Sequence, residues 1–276
     1  EFTNHFTSEL ISLFKHGHTI TSSEKFIESI LKKIPETHLN DGFYNHLSFS
    51  KSQQNRVYLI FHKVFDIIGS LLGILFLIYL IPFVFLGNLI WNKGSLFYLQ
   101  ERVGKGAKLF KIIKLRTMVE NAEKSGAVWA QKNDARITKF GKFLRRTRLD
   151  EVPQFINILK GDISLVGPRP LVTKTFTAYN EDVQSKIYNV KPGLTGIGSI
   201  IFRDEESIIS AVKDKDPHEF YKRIIAPYKG ELEMWYQSNN SFILDLQLIF
   251  MTAWVIFVPT SKLYEKWFKD LPKRSF

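Results

Sequence analysis

From Ile67 to Ile90 the chain carries no charged residue. A run of that length crosses a bilayer when helical. Pro82 stands inside it, where it removes a helix hydrogen bond and favours a kink. Lys63 precedes the run and Lys93 follows it. Positive charge on both sides sets no orientation by loop charge. A kinked helix that enters and leaves by one face accounts for both features, so Lys63, Asp66 and Pro82 are assigned to a membrane anchor.

Later segments alternate between two periods. Leu96–Leu99 and Leu109–Leu115 are apolar runs flanking Gly104-Lys105-Gly106, and they predict a β-hairpin with Lys114 and Arg116 near its end. Ile137, Phe140, Phe143 and Leu144 alternate with Lys139, Lys142, Arg145 and Arg146. That pattern is a basic amphipathic helix, suited to a lipid headgroup layer or to packing on a core. Val152 to Leu159 has helical spacing, with Pro153 tolerable only in a first turn. Lys191–Gly196 reads as a loop, and Arg203-Asp204-Glu205-Glu206 starts a polar helix in which Arg203 is within reach of a substrate. Ser241 to Pro259 is apolar but broken by Asp245 and Gln247, which predicts an interfacial helix, with Trp254 and Trp267 at the bilayer boundary.

The first fifty or so residues are polar. Ser22-Ser23-Glu24 and the apolar positions after it predict a capped helix ending at Pro35. His5, His16, His18, His38 and His46 lack a ligand spacing. Three regions follow: an N-terminal extension over 1–52, a membrane hairpin over 53–93 and a third, mixed region over 94–276. Glu1 in place of Met is read as a trimmed chain or a fragment.

Charge narrows the partners. There are 38 Lys+Arg against 27 Asp+Glu, a net charge of +11, with 45% hydrophobic residues and 24 Phe. Basic charge on an apolar chain suits anionic lipid and phosphorylated substrates, and no nucleic-acid motif accompanies it. No cysteine is present, so disulfides and thiolate metal sites are excluded.

The candidate chemistry lies in Arg145-Arg146-Thr147-Arg148-Leu149-Asp150-Glu151-Val152-Pro153-Gln154 and in Gly161–Pro170. Asp150 and Glu151 fall at a helix start, where free N–H groups favour anions and are expected to keep both acids ionised. Capping is the bland alternative. Pro168 and Pro170 hold Arg169 on a stiff backbone, and its planar guanidinium suits bidentate phosphate contact.

These pieces resemble the bacterial sugar transferases, the monotopic polyprenyl-phosphate phosphoglycosyltransferases. The resemblance is carried by Lys63–Asp66, Gln100–Gly104, Phe110–Met118, Leu149–Gln154, Gly161–Pro170 and Lys191–Gly196, in that order. It implies an α+β, mostly helical fold, anchored by a re-entrant helix-break-helix, with a small β-hairpin and interfacial amphipathic helices. Ile81 stands where the family has Ser before the proline, so a straighter, spanning helix is the alternative. The implied reaction moves a sugar 1-phosphate from a UDP-sugar to polyprenyl phosphate and releases UMP. Asp150 is then the nucleophile and Glu151 a metal ligand or assisting base, with Asp150 a second candidate ligand for Mg²⁺. Arg169 is the phosphate clamp, with Lys114, Arg116, Arg145 and Arg148 as further candidates. Implied partners are the nucleotide sugar, polyprenyl phosphate and membrane lipids, with a homodimer left open. The implied setting is the bacterial inner membrane, with the catalytic domain facing the cytoplasm. A metal-dependent glycosyltransferase releasing UDP and a non-catalytic membrane-docking module are the competing readings.

Overall fold

The computed structural model describes residues 56–120, 122, 134–211 and 216–274, all within one compact unit, Ser50–Phe276. The helix expected before Pro35 and the five N-terminal histidines lie outside the described residues. Helices α1 (Arg56–Trp91), α2 (Lys139–Arg146), α3 (Gln154–Lys160), α4 (Thr173–Phe176) and α5 (Glu181–Ile187) make the first half, with strands β1 (Phe97–Val103), β2 (Leu109–Leu115) and β3 (Ser164–Val166) among them. The second half holds β4 (Gly193–Thr195), α6 (Ile197–Ile201), α7 (Glu205–Ala211), α8 (Pro217–Phe220), α9 (Ala226–Asn239), α10 (Phe242–Phe257) and α11 (Leu263–Trp267).

Helix α1 runs 36 residues as a single element with Pro82 inside it. Its buried positions recur every three or four residues: Asp66, Ser70, Gly73, Leu77, Leu80, Val84 and Asn88. That stripe is the docking face of one helix side. Gly73 lets the Phe155 ring approach to where a Cβ would sit, and Gly87 does the same for Phe140. The remaining faces expose Ile68, Leu72, Leu75, Ile78, Phe85 and Leu89. So many exposed apolar side chains on a single helix are what lipid contact requires.

The hairpin expected from the glycine-flanked runs is present: β1 and β2 pair antiparallel, with Tyr98 opposite Lys114. The expected loop at Lys191–Gly196 is part strand. Gly193–Thr195 pairs in parallel with Ser164–Val166, a second two-stranded sheet that the glycines and proline concealed. Gly193 is required there because an added Cβ would lie 2.1 Å from the Gly167 nitrogen.

Helix α2 is capped by Thr138, whose hydroxyl accepts from the Gly141 N–H. It buries Phe140 and Leu144 against α1 and leaves Lys139, Lys142 and Arg146 exposed. Helix α10 is capped by Ser241 and buries Leu244, Leu248 and Met251. Its outer face exposes Ile243, Phe250, Trp254 and Phe257. Asp245, which interrupts the apolar run, is buried and receives hydrogen bonds from the Tyr58 and Tyr236 hydroxyls. The interruption is a polar lock between α10, α9 and the start of α1, not a sign of exposure.

Candidate active site

The chain reverses between α2 and α3 at Arg148, whose φ of 58° lies in the left-handed region. A non-glycine residue holds that conformation only when its surroundings fix it. The turn feeds a short 3-10 segment, Leu149–Glu151, which carries both acids immediately ahead of Pro153 and α3. The helix-start placement expected for the acids is therefore observed.

The two carboxylates have different environments. Glu151 Oε1 lies 3.1 Å from Lys114 Nζ, 3.6 Å from Arg169 Nη2 and 3.8 Å from Arg148 Nη1. Burial alone would raise its pKa, but those three cations hold it well below the ordinary carboxylate range. Asp150 is 8% exposed, and its Oδ1 is buried without a hydrogen-bond partner. Burial, then the negative Glu151 beside it, pushes its pKa up to about 6. Both acids are mostly ionised at neutral pH, as expected of a helix start, but the cations converge on Glu151 and burial sets the two apart. One acid is a fixed, charge-compensated anion. The other has a buried oxygen without a hydrogen-bond partner, on a residue that lines the cleft.

Lys114 is delivered by the hairpin. Asn157 on α3 accepts from the Ile113 N–H at 2.9 Å and donates to the Lys111 carbonyl at 2.9 Å. These bonds fix β2 against α3, so Lys114 meets Glu151 in the segment just ahead of that helix. Burial lowers the Lys114 pKa, and Glu151 opposes that shift.

Arg169 is held through its backbone. The Pro168 carbonyl accepts from the Gly193 N–H at 2.8 Å, the Arg169 carbonyl from the Tyr188 hydroxyl at 2.8 Å, and the Pro170 carbonyl from Arg102 at 3.0 Å. Prolines have no N–H, so the segment has a single amide donor, that of Arg169. Glu233 on α9 accepts it. Glu233 is fully buried, and desolvation pushes its pKa up to about 7 against the pull of Lys229 and Arg169. Lys229 pairs with Glu205 at 2.9 Å, and its ammonium stands 5.8 Å from the centre of the Tyr221 ring. None of Asn157, Tyr188, Arg102 and Glu233 was singled out from sequence as a site residue. Arg102 lay within a quoted motif, but a lone buried glutamate in a helix of mixed polarity gives no such signal.

Arg116 is corrected. It was expected to bind phosphate, yet its N–H donors go to the Ser95 carbonyl, the Asn92 side chain and carbonyl, the Met118 carbonyl and the Asn88 side chain. It closes the C-terminal end of α1, where carbonyls lack helical partners. Arg145 Nε donates to the Thr117 hydroxyl at 2.9 Å and lines the same cleft. Arg203 also lines it, and donates to the Ser261 carbonyl at 3.1 Å. Asp66 serves the anchor: it accepts from the Ser164 hydroxyl and the Leu165 N–H, each at 2.8 Å, and so ties α1 to β3. Lys63 and Pro82 are exposed on α1.

The cleft has a volume of about 2020 Å³ and is lined by Asp150, Glu151, Arg169 and Arg203 together with apolar faces of α1 and α10. No group of three or more His, Cys, Asp or Glu side chains placed to hold a metal ion occurs among the described residues.

Comparison with known proteins gives a consistent answer. The Bacillus subtilis "Putative undecaprenyl-phosphate N-acetylgalactosaminyl 1-phosphate transferase" is 50% identical over 123 residues, covering 45% of this chain and 69% of that protein. The Aeromonas hydrophila UDP-N-acetylgalactosamine-undecaprenyl-phosphate N-acetylgalactosaminephosphotransferase is 36% identical over 163 residues, 58% of this chain and 35% of its own length. The Klebsiella pneumoniae UDP-glucose:undecaprenyl-phosphate glucose-1-phosphate transferase is 33% identical over 213 residues, 76% of this chain and 43% of its own length. The chain thus spans less than half of two of these relatives. A model of the family described as bacterial sugar transferase matches residues 57–259, most of the chain, and the protein belongs to that family.

Proposed function

We propose that this protein transfers a sugar 1-phosphate from a UDP-sugar to polyprenyl phosphate and releases UMP. The observation that carries the reading is the asymmetry of the acid pair: an uncommitted Asp150 oxygen beside a Glu151 already matched by Lys114, Arg148 and Arg169. A capping pair would have no use for three converging cations or an open cleft.

In the first step an Asp150 oxygen attacks the phosphorus that bears the sugar. The bond from that phosphorus to the bridging oxygen breaks, and UMP leaves with the bonding pair. An aspartyl phosphosugar remains. In the second step an oxygen of polyprenyl phosphate attacks the same phosphorus, the acyl–phosphate bond breaks, and the Asp150 carboxylate is restored. Arg169, Lys114 and Arg148 offset the repulsion between carboxylate and diphosphate. Glu151 fixes those cations in place.

The donor set fits Mg²⁺ only as a shared ion. With at most two carboxylates available, and Glu151 Oε1 surrounded by cations, Asp150 would hold it together with substrate oxygens and waters. Bound there, it would supply further neutralisation of the diphosphate. The deciding experiment is a nucleotide-sugar panel with polyprenyl phosphate and Mg²⁺, read by whether UMP or UDP is released. UDP as the product would reject phosphosugar transfer in favour of transfer of the sugar alone.

Anchoring is proposed to be one-sided, with the catalytic domain at the cytoplasmic face of the inner membrane. Supporting this, both ends of α1 bond to the same folded body: Tyr58 to Asp245 at one end, Asn88 and Asn92 to Arg116 at the other. A helix of 36 residues extends about 54 Å at 1.5 Å per residue, so a straight crossing would carry one end away from that body. Cysteines at the exposed positions Lys63 and Lys93 should therefore react alike with an impermeant thiol reagent in intact cells. Labelling of one without the other would establish a full crossing.

Glu233 gives a pH test. As pH rises through about 7 its carboxyl ionises and attracts the Arg169 guanidinium and N–H more strongly. The apparent KM for UDP-sugar should rise across that range in the wild type, as the added negative charge competes with the diphosphate for Arg169, and stay flat in Glu233→Gln. Glu233→Ala leaves the buried Arg169 N–H without its acceptor and should cost about 1–3 kcal/mol of stability, read from thermal unfolding.

A further inference from the structure

Helices α1 and α10 touch near their beginnings and then part. At the meeting point the Phe65 and Phe242 rings pack edge to face with centroids 5.6 Å apart, and Phe61 stands 6.4 Å from the same ring. Beyond it Ile68, Leu72 and Phe76 of α1 face the cleft from one side, and Ile249, Ala253 and Ile256 of α10 from the other. The floor between them is the parallel β3–β4 pair, with Leu165 under Gly69 and the Thr195 hydroxyl hydrogen-bonded to that of Thr252. This apolar arm is continuous with the charged end that holds Asp150, Glu151 and Arg169.

One cavity with a cationic head end and an apolar arm complements an amphiphile with a terminal phosphate. It does not complement the nucleotide sugar, which is polar throughout. The arm also adjoins the exposed apolar surface of α1, where Leu72 is 63% exposed, so a chain can enter from lipid without crossing water. An ordinary phospholipid matches the arm less well at the head. Its phosphate is a diester, flanked on both sides, and offers no terminal oxygen to attack the phosphosugar.

We propose that the arm between α1 and α10 is the acceptor site, seating the isoprene units of polyprenyl phosphate beyond the first two, with the phosphate directed at Asp150. This rests on the transferase reading above and adds the acceptor's location to it. Within the arm, Ala253 is a small exposed side chain facing the cleft, so a larger residue there narrows the arm without disturbing the core.

The test compares a long-chain polyprenyl phosphate with geranyl phosphate, in the same detergent, for the wild type, Ala253→Trp and Leu72→Trp. The UDP-sugar KM is measured alongside as the check on fold and donor site. The wild type should prefer the long chain. Ala253→Trp should raise the long-chain KM roughly tenfold, equivalent to about 1.4 kcal/mol of lost binding. Its geranyl phosphate and UDP-sugar KM values should stay within about twofold. Leu72→Trp, substituted on the opposite wall at an exposed position, should act in the same direction. Unchanged long-chain KM in both variants, or equal rises for both acceptors, would overturn the proposal. Competition by added phospholipid as effective as that by unreactive polyprenyl alcohol would also overturn it, because the arm would then hold any membrane chain. A wild type that turns over neither acceptor rejects the transferase reading itself, a result distinguishable from all of these.

Discussion

Asp150→Asn is expected to abolish phosphosugar transfer while leaving nucleotide-sugar binding intact. The wild type given UDP-sugar without lipid should release up to one UMP per active site and retain a phosphosugar on the protein. Both signals should vanish in Asp150→Asn, because the amide matches the carboxylate in size but is a poor nucleophile. Loss of a covalent nucleophile typically costs on the order of 10⁴-fold or more in rate. The local structure makes the substitution clean. Asp150 Oδ1 has no hydrogen-bond partner to lose, and the neighbouring cations are held by Glu151. Removing one negative charge from a buried pair also relieves the repulsion that raises the Asp150 pKa, so Asp150→Asn should unfold no earlier than the wild type. The ionised fraction of Asp150 grows as pH passes upward through about 6, so adduct formation should weaken below that pH. Glu151→Gln should behave differently. It frees Lys114, Arg148 and Arg169 from their common anion, which slows both half-reactions without removing the atom that carries the phosphosugar. An adduct that persists in Asp150→Asn places the nucleophile elsewhere. An active wild type with no adduct, under conditions that trap acyl phosphates, indicates direct attack by the lipid phosphate.

How much of this was legible in the sequence depends on the range of the interaction. The hairpin, the start of α3 at Pro153 and the basic face of α2 follow from local spacing, and they were found where spacing put them. The acid pair and the proline-framed arginine were legible because their backbone chemistry is local too. What was not legible depends on distant partners. Arg116 looks like any basic residue at a strand end, and only the return of the chain past Asn88 and Asn92 turns it into a helix cap. Ser164–Val166 and Gly193–Thr195 are too short to show a period, and a parallel pair has no turn signature between its strands. Asp150 and Glu151 are adjacent and chemically alike. Asp150 is raised by burial under the folded chain and then by Glu151, whereas Glu151 is lowered by Lys114 on the hairpin and Arg169 beyond β3, so the split depends on tertiary surroundings that the adjacent pair does not show.

Arg169→Lys is expected to cost about 2–4 kcal/mol of transition-state stabilisation, roughly 30- to 1000-fold in kcat/KM, with the fold unchanged. Lysine keeps the charge but loses the planar fork that meets two phosphate oxygens at once. The stability side of the prediction follows from how the residue is held. Pro168, Arg169 and Pro170 are fixed by bonds to their backbone, from Gly193, Tyr188, Arg102 and Glu233, and none of these uses the Arg169 side chain. The side chain reaches Glu151 only at 3.6 Å, a contact that a lysine ammonium can partly reproduce. Thermal unfolding of Arg169→Lys should therefore stay within about 1 kcal/mol of the wild type, the range of a partly exposed ion pair. Ground-state binding should suffer less than turnover, because the fork is matched to charge that spreads over the equatorial oxygens as the bridging bond breaks. The measurement is kcat and KM for UDP-sugar with saturating polyprenyl phosphate, beside the melting curve. A large fall in kcat with a small change in KM assigns Arg169 to the transition state. Near-normal turnover in a well-folded Arg169→Lys protein would make the framed arginine a structural turn, and the clamp role would pass to Lys114 and Arg148.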